Sequence, residues 1–445
     1  MELSEKYYKT LGYYAPSLFF IQLSGKGRLK NMKEWDDIQK ATFLHEYIHF
    51  LQDVTTVQGL QNMYRIGEYL RYVTNVAKDK VKNEIHLPVD PLKTTGYNLK
   101  QNWQLSNWTF GERTPVHKYV SYSKQKKGTL VDDITGNKQD VNGVILNCLD
   151  EKGVNVNVDF GILQMMEGMA KEVEELAYPS MKDMSPYNPY YIGRDVANSI
   201  IKGVGNSGET MIALYDLSLQ SSVPGYSFVC YLEDKAKAGY TSTTLTSDVI
   251  YDEMLNSQAN QAQLGQTSFQ AAYQFAMNLA SGVVNDFTGG HWIYSHIDLW
   301  YRQILNRGRF VRLQYPKLFI DLAHKGDINI NALFKEVYQL LGTPLIANGA
   351  GKYDYRHARK MWFMRKSSMA DVYAMVQTQL VFQSKGFYEC SLISYCKNKK
   401  CGLRTHKVDV RCQTQPWTRM RRFNRCPFCQ WWYFKGFRKT KLLYP

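Results

Sequence analysis

Two histidines four residues apart, with a glutamate beside the first, form the run His45-Glu46-Tyr47-Ile48-His49, the pattern H-E-x-x-H. On an α-helix, residues i and i+4 lie one turn apart on the same face, so both imidazoles can address one ion. Glu46 can then reach a water on that ion without binding the ion itself. Two neutral nitrogens, an open coordination position and a carboxylate that takes a proton are the parts of zinc-dependent hydrolysis. Glu46 is the expected general base, and afterwards the proton donor to a leaving amine. The plainer alternative is a pair of satisfied core or surface histidines. The apolar residues around the motif and the strand-like run before it favour the metal reading.

A catalytic zinc normally takes three protein ligands. The extended pattern H-E-x-x-H-x-x-G-x-x-H is absent, because position 52 is Gln52 and position 55 is Thr55. The third ligand must therefore come from elsewhere, and Glu167 is the leading candidate. It lies in a helical stretch, 160–177, flanked by Met165, Met166 and Met169. A carboxylate in such surroundings is costly unless it is paired or bound to metal. Small Gly168 and Ala170 would permit close helix approach. Glu172, Glu174 and Glu175 fit an ordinary solvated face. Asp53, one turn after His49, could orient a ligand imidazole or cap the next helix.

His45-Glu46-x-x-His49 followed by Glu167-Gly168-Met169-Ala170 resembles the glutamate-zincin (gluzincin) metallopeptidases. In that group a downstream helix with an E-x-x-A/S-D pattern supplies the glutamate ligand. The last position here is Lys171 instead of an aspartate. The resemblance covers the two metal-site helices only. It implies a zinc peptidase acting on a peptide or protein, and a tyrosine or histidine that stabilises the oxyanion. Tyr191 is the preferred candidate for that role; Tyr190, His291 and His296 are the others. The resemblance also implies that a strand beside the site helix, here 18–23, could bind substrate along an exposed edge.

The elements that must position these groups can be read from periodicity. Residues 16–23 read as a strand, about 33–53 and 57–77 as helices, and 80–160 as small strands and loops. Val154–Val158 is either a further strand or a lead into the next helix with Asp159 as its N-cap. Helices are expected near 192–203, 209–219, 258–282, 291–303 and 330–341, and in part of 351–384. The expected fold is α+β: a mainly helical zincin-like metallopeptidase core with a small β-sheet, over 1–384, with a β-rich insertion near 80–160. A small cysteine-rich module is expected over 385–445.

That last stretch carries 15 Lys/Arg against 2 Asp/Glu, within a chain of net charge +15. The basic character belongs to the tail, and an acidic partner is expected for it. Arg419, Arg421, Arg422 and Arg425 interleave with Trp417 and Phe423, which suits a nucleic acid or a solvated face that positions a protein substrate. Cys426-Pro427-Phe428-Cys429 reads as one half of a second, structural zinc site, with Cys396 and Cys401 as the other half; Cys390, Cys412 and His406 lie close enough to substitute. The alternative functions are a nucleic-acid-binding zinc protein acting through this module and a non-catalytic zinc scaffold. The charged start, Met1-Glu2-Leu3-Ser4-Glu5-Lys6, has no apolar signal core, and no run is long enough to cross a membrane, so cytoplasm is the expected compartment.

Overall fold

The computed structural model describes residues 11–78, 84–94, 96–131, 135–182, 184–256, 268–324, 326–349, 353–356, 358, 366–383, 389–390, 393, 396, 408–419, 426–437 and 440–443. The strands are β1 (Gly12–Ala15), β2 (Phe20–Leu23), β3 (Glu84–His86), β4 (Lys118–Val131), β5 (Lys138–Leu149), β6 (Asn155–Phe160), β7 (Leu345–Asn348), β8 (Tyr353–Asp354) and β9 (Lys441–Leu443). The first helices are α1 (Asp37–Thr55), α2 (Val57–Lys78), α3 (Tyr97–Thr109), α4 (Ile162–Ala177), α5 (Tyr187–Tyr190), α6 (Ile192–Ile200), α7 (Gly208–Ser218), α8 (Pro224–Lys237) and α9 (Ser247–Asn256). They continue with α10 (Ser268–Gly282), α11 (Val284–Thr288), α12 (Ser295–Gln314), α13 (Leu318–His324), α14 (Ala332–Leu341), α15 (Lys366–Gln383), α16 (Arg411–Thr414) and α17 (Pro427–Phe434).

Helix α1 is the axis of the fold. Asp36 caps it, its side chain accepting from the Gln39 amide at 2.7 Å, which satisfies a donor that the first turn leaves open. The expected start near Lys33 is corrected: 29–34 is a 3-10 turn, and the cap sets the start at Asp37. From Phe43 to Thr55 every residue is buried. The helix therefore has core on all sides instead of one apolar stripe. Thr56 leaves the helical conformation and divides α1 from α2.

A four-stranded sheet, order β1-β2-β7-β8, flanks α1. β1 and β2 are antiparallel, β2 and β7 parallel, β7 and β8 antiparallel. The strand expected to offer an exposed edge, β2, is interior to this sheet, with β1 on one side and β7 on the other; that expectation is corrected. The turn between β1 and β2 holds Ser17 and Phe19 at φ of 64° and 50°, a region that L-residues with side chains seldom adopt. Asp53 of α1 secures it, accepting from the Ser17 amide and, at 2.7 Å, from the Tyr14 hydroxyl.

β4, β5 and β6 form an antiparallel meander, within the region expected to be β-rich. β6 leads directly into α4. The N-cap is Gly161, whereas Asp159 lies in the strand and pairs with Lys127, so the strand alternative for Val154–Val158 holds and the Asp159 cap does not. A Cβ on Gly161 would stand 2.1 Å from the Thr109 carbonyl oxygen, so the residue must lack one for α3 and α4 to meet there.

The C-terminal residues pack into the same core. Trp432 stacks with Phe382 of α15, Trp431 lies against Tyr294, and β9 pairs in parallel with β3. None of the described helices is long and apolar enough to cross a membrane.

Deep in the helical layer, Arg312 of α12 donates to Asp216 of α7 at 2.8 Å, with neither side chain reached by solvent. Asp216 also accepts from Tyr251 at 3.0 Å and from Gln220 at 2.9 Å. Removing one partner strands a buried charge. Asp216→Ala should cost about 3–5 kcal/mol in urea unfolding, and Asp216→Leu with Arg312→Met should recover most of it. A loss below about 1 kcal/mol for the single variant would refute the account.

Candidate metal centre

α1 and α4 cross so that His45, His49 and Glu167 come together. One ligand atom from each lies within 4.8 Å of the others, and this is the one such group of three or more among the described residues. The two imidazoles face the same oxygen. His45 Nε2 is 3.2 Å from Glu167 Oε2, and His49 Nε2 is 3.4 Å from it. A tetrahedral ion with bonds of 2.0–2.1 Å sets its ligand atoms ~3.3 Å apart, so the donor set has the type and spacing that zinc requires.

The outer nitrogen of each ring is held. His45 Nδ1 is 2.8 Å from Glu174 Oε2, and His49 Nδ1 is 2.8 Å from Gln52 Oε1. These contacts leave both Nε2 atoms for the metal and fix the ring planes. Glu174 is itself braced by the fully buried Lys171, whose Nζ lies 2.8 Å from Glu174 Oε1 and 2.9 Å from the Met181 carbonyl oxygen. Gln52 donates to the Met166 carbonyl oxygen at 2.9 Å, tying α1 to α4 beside the cluster. The lysine that breaks the gluzincin pattern is thus a brace for a carboxylate one turn further on.

Burial and charge compete at every group. Burial opposes charge on His45, but its bonds to Glu167 and Glu174 hold the imidazole up at about 10. Burial likewise opposes ionisation of Glu167, yet Arg113 and the two histidines hold its carboxyl well below the usual range. Glu46 goes the other way: burial pushes it up to about 7 against the pull of both histidines. Its carboxylate accepts no hydrogen bond from a described residue. A zinc ion would need His45 neutral, so binding displaces its proton.

Two further groups reach the site. Arg113, in the loop after α3, pairs with Glu167 Oε1. The Tyr190 ring stands 5.9 Å from that of His45. Gln164 and Asn188 position both. Gln164 donates to the Glu112 carbonyl oxygen and to Asn188 Oδ1, while Asn188 donates to the carbonyl oxygens of Glu112 and Thr114. The Glu167 charge, followed by burial, raises the Tyr190 phenol and keeps it protonated.

The structure places other sequence candidates elsewhere. Tyr191 donates to Glu175 at 2.7 Å, and Arg194 lies over its ring. Asp53 serves the β1–β2 turn, so it neither orients a ligand nor caps α2. Glu172, Glu174 and Glu175 are buried, not solvated, because Arg194 and Lys171 neutralise them; Arg194 grips Glu172 with two bonds of 2.6 and 2.7 Å. Gly168 gives room to the Tyr215 ring of α7 instead of to α1. His291 caps a turn beside Phe434, and His296 lies 3.7 Å from Asp371.

In the tail, Cys426 caps α17 and accepts from the Cys429 amide. Cys412 accepts from Arg419 at 2.8 Å. Cys390, Cys412, Cys426 and Cys429 are buried, Cys396 partly so, and none forms a disulfide. Cys401, His406, Arg421, Arg422, Phe423 and Arg425 lie outside the described residues. Trp417 is buried against Trp432, so its ring is covered by protein.

Comparison with protein-family models, with curated proteins and with solved structures finds no match.

Sequence reasoning overlooked Gln52 and Glu174 as orienting groups. Their spacing held the signal: Gln52 is three residues after His49, and Glu174 is two helical turns beyond Glu167. Replacing either should loosen the metal without removing a ligand. Gln52→Leu and Glu174→Gln are each expected to weaken zinc binding by about 10–100-fold, read by competition with a chromophoric chelator. Wild-type affinity in both variants would rule out the orienting role.

Proposed function

We propose that the chain is a zinc-dependent peptidase whose substrate is a peptide or protein. The observation that carries this reading is the pairing of a metal-ready His45–His49–Glu167 cluster with buried Glu46, whose carboxylate accepts no hydrogen bond from the described residues. A purely structural zinc site would be closed by a fourth ligand; among the described residues no fourth His, Cys, Asp or Glu joins the group.

A zinc ion held by the three ligands would supply Lewis acidity and lower the pKa of a bound water. The protein's own part follows from the geometry. Glu46, next to His45 on the same turn, takes a proton from water and carries it to the leaving nitrogen. Its raised proton affinity suits a group that must both accept and return a proton near neutrality. Tyr190, kept as a neutral phenol, and Arg113, fixed by its pair with Glu167, are the donors available to a developing oxyanion. Tyr191 has its hydroxyl committed to Glu175 and is not one of these donors.

β1 sets the position of the base. A Cβ on Gly12 would come within 2.7 Å of Glu46 Oε1, so a side chain there would push the carboxylate aside.

The test is hydrolysis of a quenched-fluorescent peptide library by zinc-loaded protein, with metal content measured in parallel. Glu46→Gln should lower kcat by roughly 10²–10⁴-fold while zinc remains at wild-type stoichiometry. Absence of cleavage by the wild type, or full activity of the variant, would reject the peptidase reading.

A further inference from the structure

The thiols of Cys426 and Cys429 take no part in the metal centre, yet they stand one turn apart at the start of a helix. Cys426 is the N-cap of α17, and Cys429 is the third residue inside it. Residues three apart on a helix have Cα atoms about 5 Å apart, within the range of about 4.4–6.8 Å that a disulfide spans. The Cys426 side chain already folds back over this turn, its Sγ accepting from the Cys429 amide at 3.5 Å. Both thiols are free.

Their surroundings differ. Cys426 is 8% exposed and Cys429 1%, so Cys426 is the member of the pair next to solvent. Cys429 Sγ donates to the Pro416 carbonyl oxygen at 3.4 Å. A cysteine at a helix N-terminus gains thiolate character from the open N–H groups and from nearby cations. Arg419, which donates to Cys412 at 2.8 Å, adds its charge at Cys426. The bond between the two thiols holds Cys426 below the usual thiol range against burial, whereas the same bond and burial push Cys429 up. An outer thiol that ionises beside an inner one that keeps its proton is the arrangement thiol–disulfide exchange requires: the first attacks and the second resolves.

A structural zinc would need two more ligands at this pair. Among the described residues, Cys396 included, no third Cys, His, Asp or Glu gathers with the two sulfurs. Arg419 brings positive charge to the place a metal ion would share.

We infer that Cys426 and Cys429 form a redox modification site, a dithiol that closes to a disulfide by exchange with a low-molecular-weight disulfide such as oxidised glutathione. The Cys426 thiolate attacks one sulfur of the small disulfide, whose S–S bond breaks and releases one thiolate. Cys429 then gives up its proton, and its sulfur attacks the Cys426 sulfur of the mixed disulfide, releasing the second thiolate. Two protein thiols are oxidised to one disulfide; the small disulfide is reduced to two thiols, which take up the two protons. Closure removes the bond from Cys429 to Pro416 and staples the first turn of α17, the helix that packs Trp431 on Tyr294 and Trp432 on Phe382.

The experiment equilibrates the folded full chain, its zinc content measured, in glutathione buffers running from reducing to oxidising. Acid quenching, alkylation of free thiols and mass spectrometry then map the products. One disulfide, Cys426–Cys429, should form at the oxidising end and reopen in excess reduced glutathione. Cys429→Ser should accumulate a mixed disulfide with glutathione on Cys426. Cys426→Ser should react with oxidised glutathione at Cys429 at least about tenfold more slowly than Cys429→Ser does at Cys426. Cys412→Ser should still close the pair. Wild-type Cys426 and Cys429 that stay reduced in the oxidising buffer, pairing of either with another cysteine, or faster reaction at Cys429 would overturn the assignment. So would stoichiometric zinc that either serine variant releases and that protects both thiols from alkylation.

Discussion

Everything in this molecule is arranged around the cost of burying α1. A helix enclosed on all sides is ordinarily apolar throughout, yet α1 carries His45, Glu46, His49, Gln52 and Asp53 into the interior. Taking such groups out of water is unfavourable unless each meets a partner. The neighbouring elements supply those partners. α4 brings Glu167, Glu174 and Lys171, β1 brings Tyr14, the β1–β2 turn brings the Ser17 amide, and a carbonyl of α4 receives Gln52. Glu46 is the exception: its carboxylate accepts no hydrogen bond from the described residues.

The network extends outward in layers of alternating charge. Glu174 fixes His45, Lys171 fixes Glu174, and the Met181 carbonyl fixes Lys171. On the far side of α4, Arg194 closes the set by binding Glu172 and Glu175. A helix bearing four buried glutamates is tenable only because cations reach it from its own next turn and from α6. The Glu167 carboxylate is thereby held by Arg113 at Oε1 and faces the imidazoles with Oε2.

The parts of this design that could be read in the sequence are those written in short-range spacing. His45 and His49 declare themselves by their separation, and Glu167 by its methionine surroundings. Helix α4 was visible through periodicity, and the β-rich stretch before it through alternation in Val154–Val158. What stayed hidden depends on partners distant in the chain. Glu172, Glu174 and Glu175 look like a solvated face until Arg194 and Lys171 are seen to bury them. Asp53 looks like a cap or a ligand support until the β1–β2 turn folds over it. β2 looks like an edge until β7, more than three hundred residues later, pairs with it. Tyr190 and Tyr191 are equivalent in sequence, and only the direction of the backbone after Asn188 distinguishes them.

The pairing of β2 with β7 also fixes an order of events. The Tyr47 hydroxyl, inside the H-E-x-x-H motif, donates at 2.9 Å to the carbonyl oxygen of Gly342, 295 residues downstream. Contacts of such separation form late, because the intervening chain must first be brought together. During synthesis the motif leaves the ribosome early but has no finished surroundings until residues 342–348 have emerged. A metal-ready centre built this way lacks its finished surroundings through most of the chain's own synthesis, although its three ligand residues have all emerged by residue 167.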